Sequence, residues 1–421
     1  MRKLIFLLLP AFLFAQNLNL RLTTSAYMWQ RYETPDVSTN HLRAFQLAQL
    51  TLSKGNLSFN AFVNLSNDLG EKQSDDPRLR FYNFYINWRN IFNRFNLKLG
   101  RFAIYSGVGV GTIDGAYLGA KVNRFLSANV YAGLLMPTNQ KLTLNDDPKN
   151  NFMFGAQLKF SKGGLNASLS YFNQHRKPKS YDALRADSLG AVFVQEINFT
   201  SMQYQILSAD LNYEFSIFEI YSRIDYDVNK VKFTRGEFSA GVNLMSRVKL
   251  SVGYDYRDPR IPLNSIFSVF NYGVTKEIEA GIHYRITSLL RAYVGFSNVS
   301  YVDDKSQRIV FGVDAGYASV NFAKRMGYAG ELDGITAQFY YPMFNEKFIP
   351  NASVSYASYK LSAESPKHKD LAFSIGGSFK PINTISFDVQ AQYLQNKVYK
   401  SDFRVFFKFN YWLFTNLGFV K

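Results

Sequence analysis

Gly100-Arg101, followed by Gly107-Val108-Gly109-Val110-Gly111-Thr112, is the glycine-rich cluster of this 421-residue chain. A loop that cradles phosphate needs Lys-Ser/Thr directly after its glycines and then a helix. Here Ile113-Asp114-Gly115 and another strand pattern follow, so nucleotide binding is set aside. The glycines instead suit a loop that bends tightly and can fold inward over a pore. Arg101 and Asp114 flank it and are placed to pair across its base.

The four histidines are His41, His175, His283 and His368. Three fall in segments that read as loops, beside Arg, Lys or Leu, and are expected to be solvated. His283 falls on a strand face shared with Glu279 and Arg285. Hydrolytic chemistry would require a Ser or Asp placed to meet a His, and no Ser lies within two residues of His283 on its own face. A salt-bridging role fits it better than catalysis. No His/Asp group has metal-ligand spacing, and the chain has no cysteine, which disfavours thiol and disulfide chemistry. No cofactor and no enzymatic activity are expected.

The most informative constellation is a set of charges on one strand parity. The candidate pore-lining residues are Lys98, Arg223, Arg247, Lys249, Arg285, Arg291, Arg404 and Lys408, with the acidic Glu219, Asp225, Glu277 and Glu279. Asp210 and Asp255 share that parity. Turning such groups to lipid costs about 2–4 kcal/mol for each Arg or Lys near the midplane, so their face must be wet. Opposed basic and acidic rows can set up the transverse field of a diffusion pore, or they can neutralise one another and stiffen the wall.

The elements that must position these charges are strands of about ten residues with alternating polarity. In Lys276–Ile286, Ile278, Ala280, Ile282, Tyr284 and Ile286 oppose Glu277, Glu279, Gly281, His283 and Arg285. A strand puts those sets on opposite faces. The same split sets Val248, Leu250, Val252 and Tyr254 against Lys249, Ser251, Gly253 and Asp255. It sets Leu207, Ala209 and Leu211 against Ser208, Asp210 and Asn212. It recurs in Phe152–Phe160 and in Phe403–Leu413. Aromatic residues form 17% of the chain, 39 Phe and 28 Tyr, while mean hydropathy stays near neutral. Alternating lipid-facing and water-facing positions produce that combination, and no mature stretch is long and apolar enough for a spanning helix.

Tight turns are expected at Lys54–Asn56, Asn123–Phe125, Lys162–Gly164, Phe215–Ile217, Ser246–Arg247, Thr287–Ser288 and Lys380–Asn383. Longer polar stretches lie between them at Gln30–His41, Ser66–Arg78, Met136–Asn150, Asn173–Gln203 and Tyr256–Val274. The rhythm predicts an all-β, single antiparallel transmembrane β-barrel of about 20 strands, between 18 and 22. Its short turns are periplasmic and its longer loops extracellular. Gln307–Tyr341 is where turns are hardest to place. No linker or composition shift marks a second domain, and no plug segment is visible ahead of the alternation, which begins by Asn17.

Arg2 and Lys3 precede the apolar stretch Leu4–Phe14, and Ala15 offers a small residue for cleavage. That is the layout of a signal peptide over 1–15, leaving 16–421 as the barrel. Loss of Arg2 and Lys3 lowers the formal net charge from +16 by two, to +14. Export argues against nucleic acid as the basic chain's partner. Lipopolysaccharide phosphates and an anion-preferring lumen are the remaining candidates.

With leader, alternating strands and the aromatic strand Phe403–Phe414, the chain resembles the bacterial outer-membrane porins as a broad class. Barrels of that class commonly end on an aromatic residue; Phe414 takes that place, with Thr415–Lys421 extending beyond it. The resemblance implies passive diffusion of small hydrophilic solutes through an outer-membrane barrel in contact with lipid and lipopolysaccharide, alone or as a homo-oligomer. Two alternatives are a plugged barrel with a structural or surface-binding role, and a transporter of hydrophobic substrates. The second alternative would use the lumen-facing aromatics Tyr85, Tyr131, Phe172, Tyr221 and Trp412.

Overall fold

The computed structural model describes residues 16–417 except 35–36, 71–74, 187–189, 200–201, 260–272, 303, 328–330, 361, 363 and 398–400. The expected signal peptide at 1–15 lies outside the described residues, as do residues 418–421.

Strands form wherever the period-2 pattern runs. The first nine are β1 (Asn17–Thr34), β2 (Val37–Lys54), β3 (Leu57–Asp68), β4 (Arg78–Ile91), β5 (Phe95–Ser106), β6 (Gly109–Lys121), β7 (Leu126–Leu135), β8 (Phe152–Lys162) and β9 (Leu165–Arg176). Then come β10 (Tyr181–Ala186), β11 (Val192–Ile197), β12 (Met202–Phe215), β13 (Phe218–Asp227), β14 (Lys232–Met245), β15 (Val248–Arg257), β16 (Thr275–Arg285) and β17 (Arg291–Ser300). The last are β18 (Lys305–Asp314), β19 (Ala318–Met326), β20 (Leu332–Tyr340), β21 (Phe348–Tyr359), β22 (His368–Ile382), β23 (Ile385–Gln395) and β24 (Asp402–Asn416).

Twenty-two of these pair in sequence order into one antiparallel sheet. The sheet closes where β1 meets β24, in register from Asn17 opposite Asn416 to Met28 opposite Val405. Closure leaves no unpaired edge, a condition for crossing a bilayer with strands. The strand number is the upper end of the expected range. The pattern near Gln307–Tyr341 resolves into three strands, with Gly316 at φ +79° in the turn between β18 and β19.

The outer face carries the apolar parity. Leu250's neighbour Val252 (52% exposed), Ile278 (61%), Ile282 (52%), Leu169 (51%) and Val389 (49%) all stand outward. A protein in water rarely exposes such a band; a bilayer covers it. Gln157, Ser170, Ser208 and Asp225 are buried on the lumen side, opposite in parity to the outward Leu158, Leu169, Leu207 and Ile224.

Several expected loops are in part strands. β1 and β2 run through most of Gln30–His41, each 18 residues long. A tilted spanning strand needs about 9–11 residues, so this hairpin projects beyond the bilayer. The Asn173–Gln203 stretch likewise contains the ends of β9 and β12 and the separate two-stranded hairpin β10–β11. All three histidines assigned to solvated loops are on strands. His41 is 4% exposed, its Nδ1 3.1 Å from Asp68 Oδ2 and its ring stacked on Trp29. His175 stacks on Phe152 at 4.5 Å. His368 also opens a strand, β22. Hydrophobic alternation in these segments is interrupted by polar residues because they lie above the lipid, and pairing alone keeps them extended.

Candidate functional site

The β5–β6 hairpin leaves the wall and folds into the lumen. Gly100 (φ +122°), Gly115 and Gly133 face each other across three strands, Gly100 opposite Gly115 and Gly115 opposite Gly133. A side chain at Gly100 would collide with the carbonyl of Phe84, and one at Gly115 with that of Ala132. Only a row without Cβ atoms lets the sheet bend this sharply. Beyond the bend the hairpin runs back along the inner wall. Its tip reaches β8 and β9, where the Val108 N–H donates to Ser170 Oγ at 3.0 Å. Ser106 Oγ lies 2.5 Å from Asn129 Oδ1 and 2.9 Å from Gln157 Oε1.

Apolar packing holds the hairpin there. Phe102, Ile104, Val108 and Ile113 bury against Tyr131, Leu135, Met153, Phe172 and Ile206 on the inner wall. This is a dry core inside a barrel, formed by residues whose parity is lumenal. Removing their surface from water is the dominant favourable term. Tyr105 and Val110, directly opposite each other, turn away from that wall and stay exposed.

Arg101 closes the base. Its Nε and Nη2 donate to the two oxygens of Asp114, both at 2.7 Å. Nη1 donates to the carbonyls of Lys141 (2.7 Å), Phe81 (3.3 Å) and Gln140 (3.4 Å), and Nη2 also to that of Thr143 (3.0 Å). The guanidinium is buried, with 2% exposure for the residue. β4 and β5 pair only up to Phe84 and Arg101. Past that point Gln140, from the segment joining β7 to β8, accepts the Phe81 N–H at 2.8 Å in the place β5 has vacated. The pairing expected of Arg101 and Asp114 is thus present, as part of a larger clamp.

Lys98 lies just below. Its Nζ is 5.2 Å from the ring centre of Tyr117 and 5.9 Å from those of Tyr85 and Phe102. Such contacts contribute about 0.5–2 kcal/mol each, depending on desolvation. Among the candidate charges, Lys98 is therefore engaged with the hairpin's aromatic base.

The wall from β12 to β18 carries most of the others. Its half nearer the extracellular end is a chain of pairs. Asp225 accepts from Ser208 Oγ (2.6 Å) and Arg223 Nε (2.9 Å). Arg235 meets Glu237 at 2.5 Å, Arg257 joins Asp255 (2.7 Å) and Glu237 (3.3 Å), and Arg308 meets Glu277 at 3.1 Å. Glu279 lines the same cavity, of about 540 Å³, with Tyr221. These groups largely neutralise each other.

The half nearer the periplasmic turns is different. Arg247, Lys249, His283, Arg285 and Arg291 line one cavity of about 530 Å³. Lys249 is paired with Glu219, and Arg291 stands 4.0 Å from Asp314. Arg404 and Lys408 are elsewhere on the barrel, bound to Asp402 (2.7 Å) and Asp388 (3.1 Å). Six of the basic candidates thus fall into two groups, with Arg247 in the turn before β15 joining Lys249, Arg285 and Arg291 on β15–β17, and Arg404 and Lys408 apart on β24. Sequence reasoning also missed Arg308 and Gln157. Parity signalled both, since Ile309 and Leu158 beside them are outward.

The sequence matches no protein-family model and no curated protein. Solved structures do share the architecture. A mutant of the ferric enterobactin receptor PfeA from Pseudomonas aeruginosa aligns with a TM-score of 0.59 at 9% identity, over 94% of this chain and 80% of that one. The P pilus usher (PapC) translocation pore aligns at 0.49 and 8% identity, over 94% and 99%. Pseudomonas aeruginosa OccK3 (OpdO) aligns at 0.43 and 12% identity, over 94% and 96%. At such identities the likeness is one of fold. The closed sheet and its outward apolar band are those of a multi-pass β-barrel of the bacterial outer membrane.

Proposed function

We propose that the barrel is a conduit for small hydrophilic solutes, narrowed on one side by the β5–β6 hairpin and modestly anion-preferring. The observation that carries this reading is the charged inner wall from β13 to β18, whose solvated cavities no apolar core fills. A barrel of this strand number encloses more space than wall side chains alone occupy. The hairpin takes up the β7–β9 side and leaves the opposite wall to water. On that wall the basic groups near the periplasmic turns outnumber their acidic partners, which concentrates anions and repels cations.

The test is single-channel conductance of the refolded chain in planar bilayers, followed by reversal potentials under a KCl gradient. The expected result is an open channel with a reversal potential of anion-preferring sign, weakening as salt screens the wall. Cation selectivity removes the preference. A barrel that never conducts removes the conduit and favours a surface-binding role.

A further inference from the structure

Two neighbouring rows of side chains line the inner wall near the periplasmic turns. In the lower row the Arg285 N–H donates to the Arg247 carbonyl at 2.7 Å, Arg285 stands opposite Arg291, and Arg291 stands opposite Asp314. In the row above, Lys249 stands opposite His283, His283 opposite Tyr293, and Tyr293 opposite Gly312. The His283 and Tyr293 rings lie 4.5 Å apart. The Asn321 side chain reaches over Gly312 beside Tyr293, and all these residues line the same cavity.

Like charges directly across a strand pair destabilise it, yet Arg285 faces Arg291. Lys249 has Glu219, and Arg291 has only the distant Asp314. Among the described residues, the side chains of Arg247 and Arg285 have neither hydrogen bond nor ion pair. Guanidiniums are planar forks whose donors match the oxygens of carboxylate and phosphate. Adjacent forks with no protein partner, in a solvated recess, present the donors that a doubly accepting oxyanion satisfies. The extracellular half of the same wall shows the contrast, because Arg223, Arg235, Arg257 and Arg308 there each have a carboxylate.

We propose that Arg247, Arg285 and Arg291 form an oxyanion-binding station at the periplasmic mouth of the lumen, for small solutes bearing carboxylate or phosphate. The station deepens the conduit reading and rests on solutes reaching this wall. The oxyanion lies against the guanidiniums, and the rest of the solute extends into the cavity that Tyr293 and Asn321 also line.

Isothermal titration calorimetry of the refolded full chain in detergent tests it, with inorganic phosphate and succinate as separate probes in low salt. Saturable binding of either probe is expected, and which one binds tells phosphate from carboxylate. Each charge-assisted hydrogen bond lost lowers affinity about tenfold or more, so Arg285→Ser and Arg291→Ser should each do so. Arg285→Lys, which keeps the charge but not the fork, should fall between. Lys54→Ser, which removes a charge from an exposed turn, should leave affinity unchanged. Heat-modifiable gel migration establishes that each variant is folded. Saturation by neither probe, or equal weakening by Lys54→Ser, overturns the proposal. Conductance is read separately. A barrel that binds but does not conduct keeps the station and defeats the conduit, and one that conducts without saturable binding defeats the station alone.

Discussion

Arg101 grips Asp114 with two parallel hydrogen bonds, Nε and Nη2 to separate carboxylate oxygens at 2.7 Å, at the point where β5 departs from β4. The remaining guanidinium hydrogens go to backbone carbonyls of the segments on either side of the gap. One side chain thus ties the inward hairpin to the wall it has left and to the loop that replaces it. Removing one partner of a buried ion pair costs about 3–5 kcal/mol, because the other charge is stranded. Arg101→Ala should therefore lower the heat-modifiability transition and give larger, noisier conductance steps as the hairpin detaches. Unchanged migration and conductance would show that the apolar core alone holds the hairpin.

The glycine row makes a second expectation. A Cβ on Gly133 would stand 2.7 Å from the Asp114 carbonyl, whereas one on Gly334 would meet nothing nearer than 3.9 Å. Gly133→Val and Gly115→Val should straighten the bend and expose the Gly107 tip to protease in detergent. Gly334→Ala should match the parent. Identical digestion of all three would mean that the bend tolerates a side chain.

The facing of the strands can be read from insertion. Ile282 and Leu250 are outward, opposite each other in the β15–β16 ladder, while Ser251 is lumenal. Arg at either outward site should cost about 2–4 kcal/mol near the midplane, seen as loss of the folded band. Ser251→Arg should fold. Equal damage on both faces would contradict the register.

On intact cells, protease should cut first in the β10–β11 hairpin and its flanks. Arg176, Lys177, Lys179 and Arg185 are exposed there, and the hairpin pairs only with itself. Cleavage that requires permeabilised membranes would place this segment on the periplasmic side.

Strand parity needs no partner to be read. Whether Ile278 and Ile282 face away from Glu277 and Glu279 follows from a backbone whose side chains alternate every residue. Once one parity is apolar, only lipid or a second sheet can cover it. The barrel and its outward face were legible for that reason. So was the Arg101–Asp114 pair, because a hairpin tip marked by glycines brings its two flanks into register. The length of β1 and β2 was less legible, since above the bilayer no apolar parity marks a strand.

Which lumenal residues meet was decided by register and closure, properties of many strands at once. Arg285 meets Arg291 because the Thr287–Leu290 turn sets their ladder. Lys408 shares their charge and parity, yet β24 pairs with β23, which hands it to Asp388, while Arg404 takes Asp402 two residues before it on its own strand. His41 found Asp68 in the same way, 27 residues along the chain. The inward hairpin is the clearest case. Its glycines permit a bend in either direction, and only the apolar wall of Tyr131, Met153 and Phe172, assembled from three strands, draws it into the lumen.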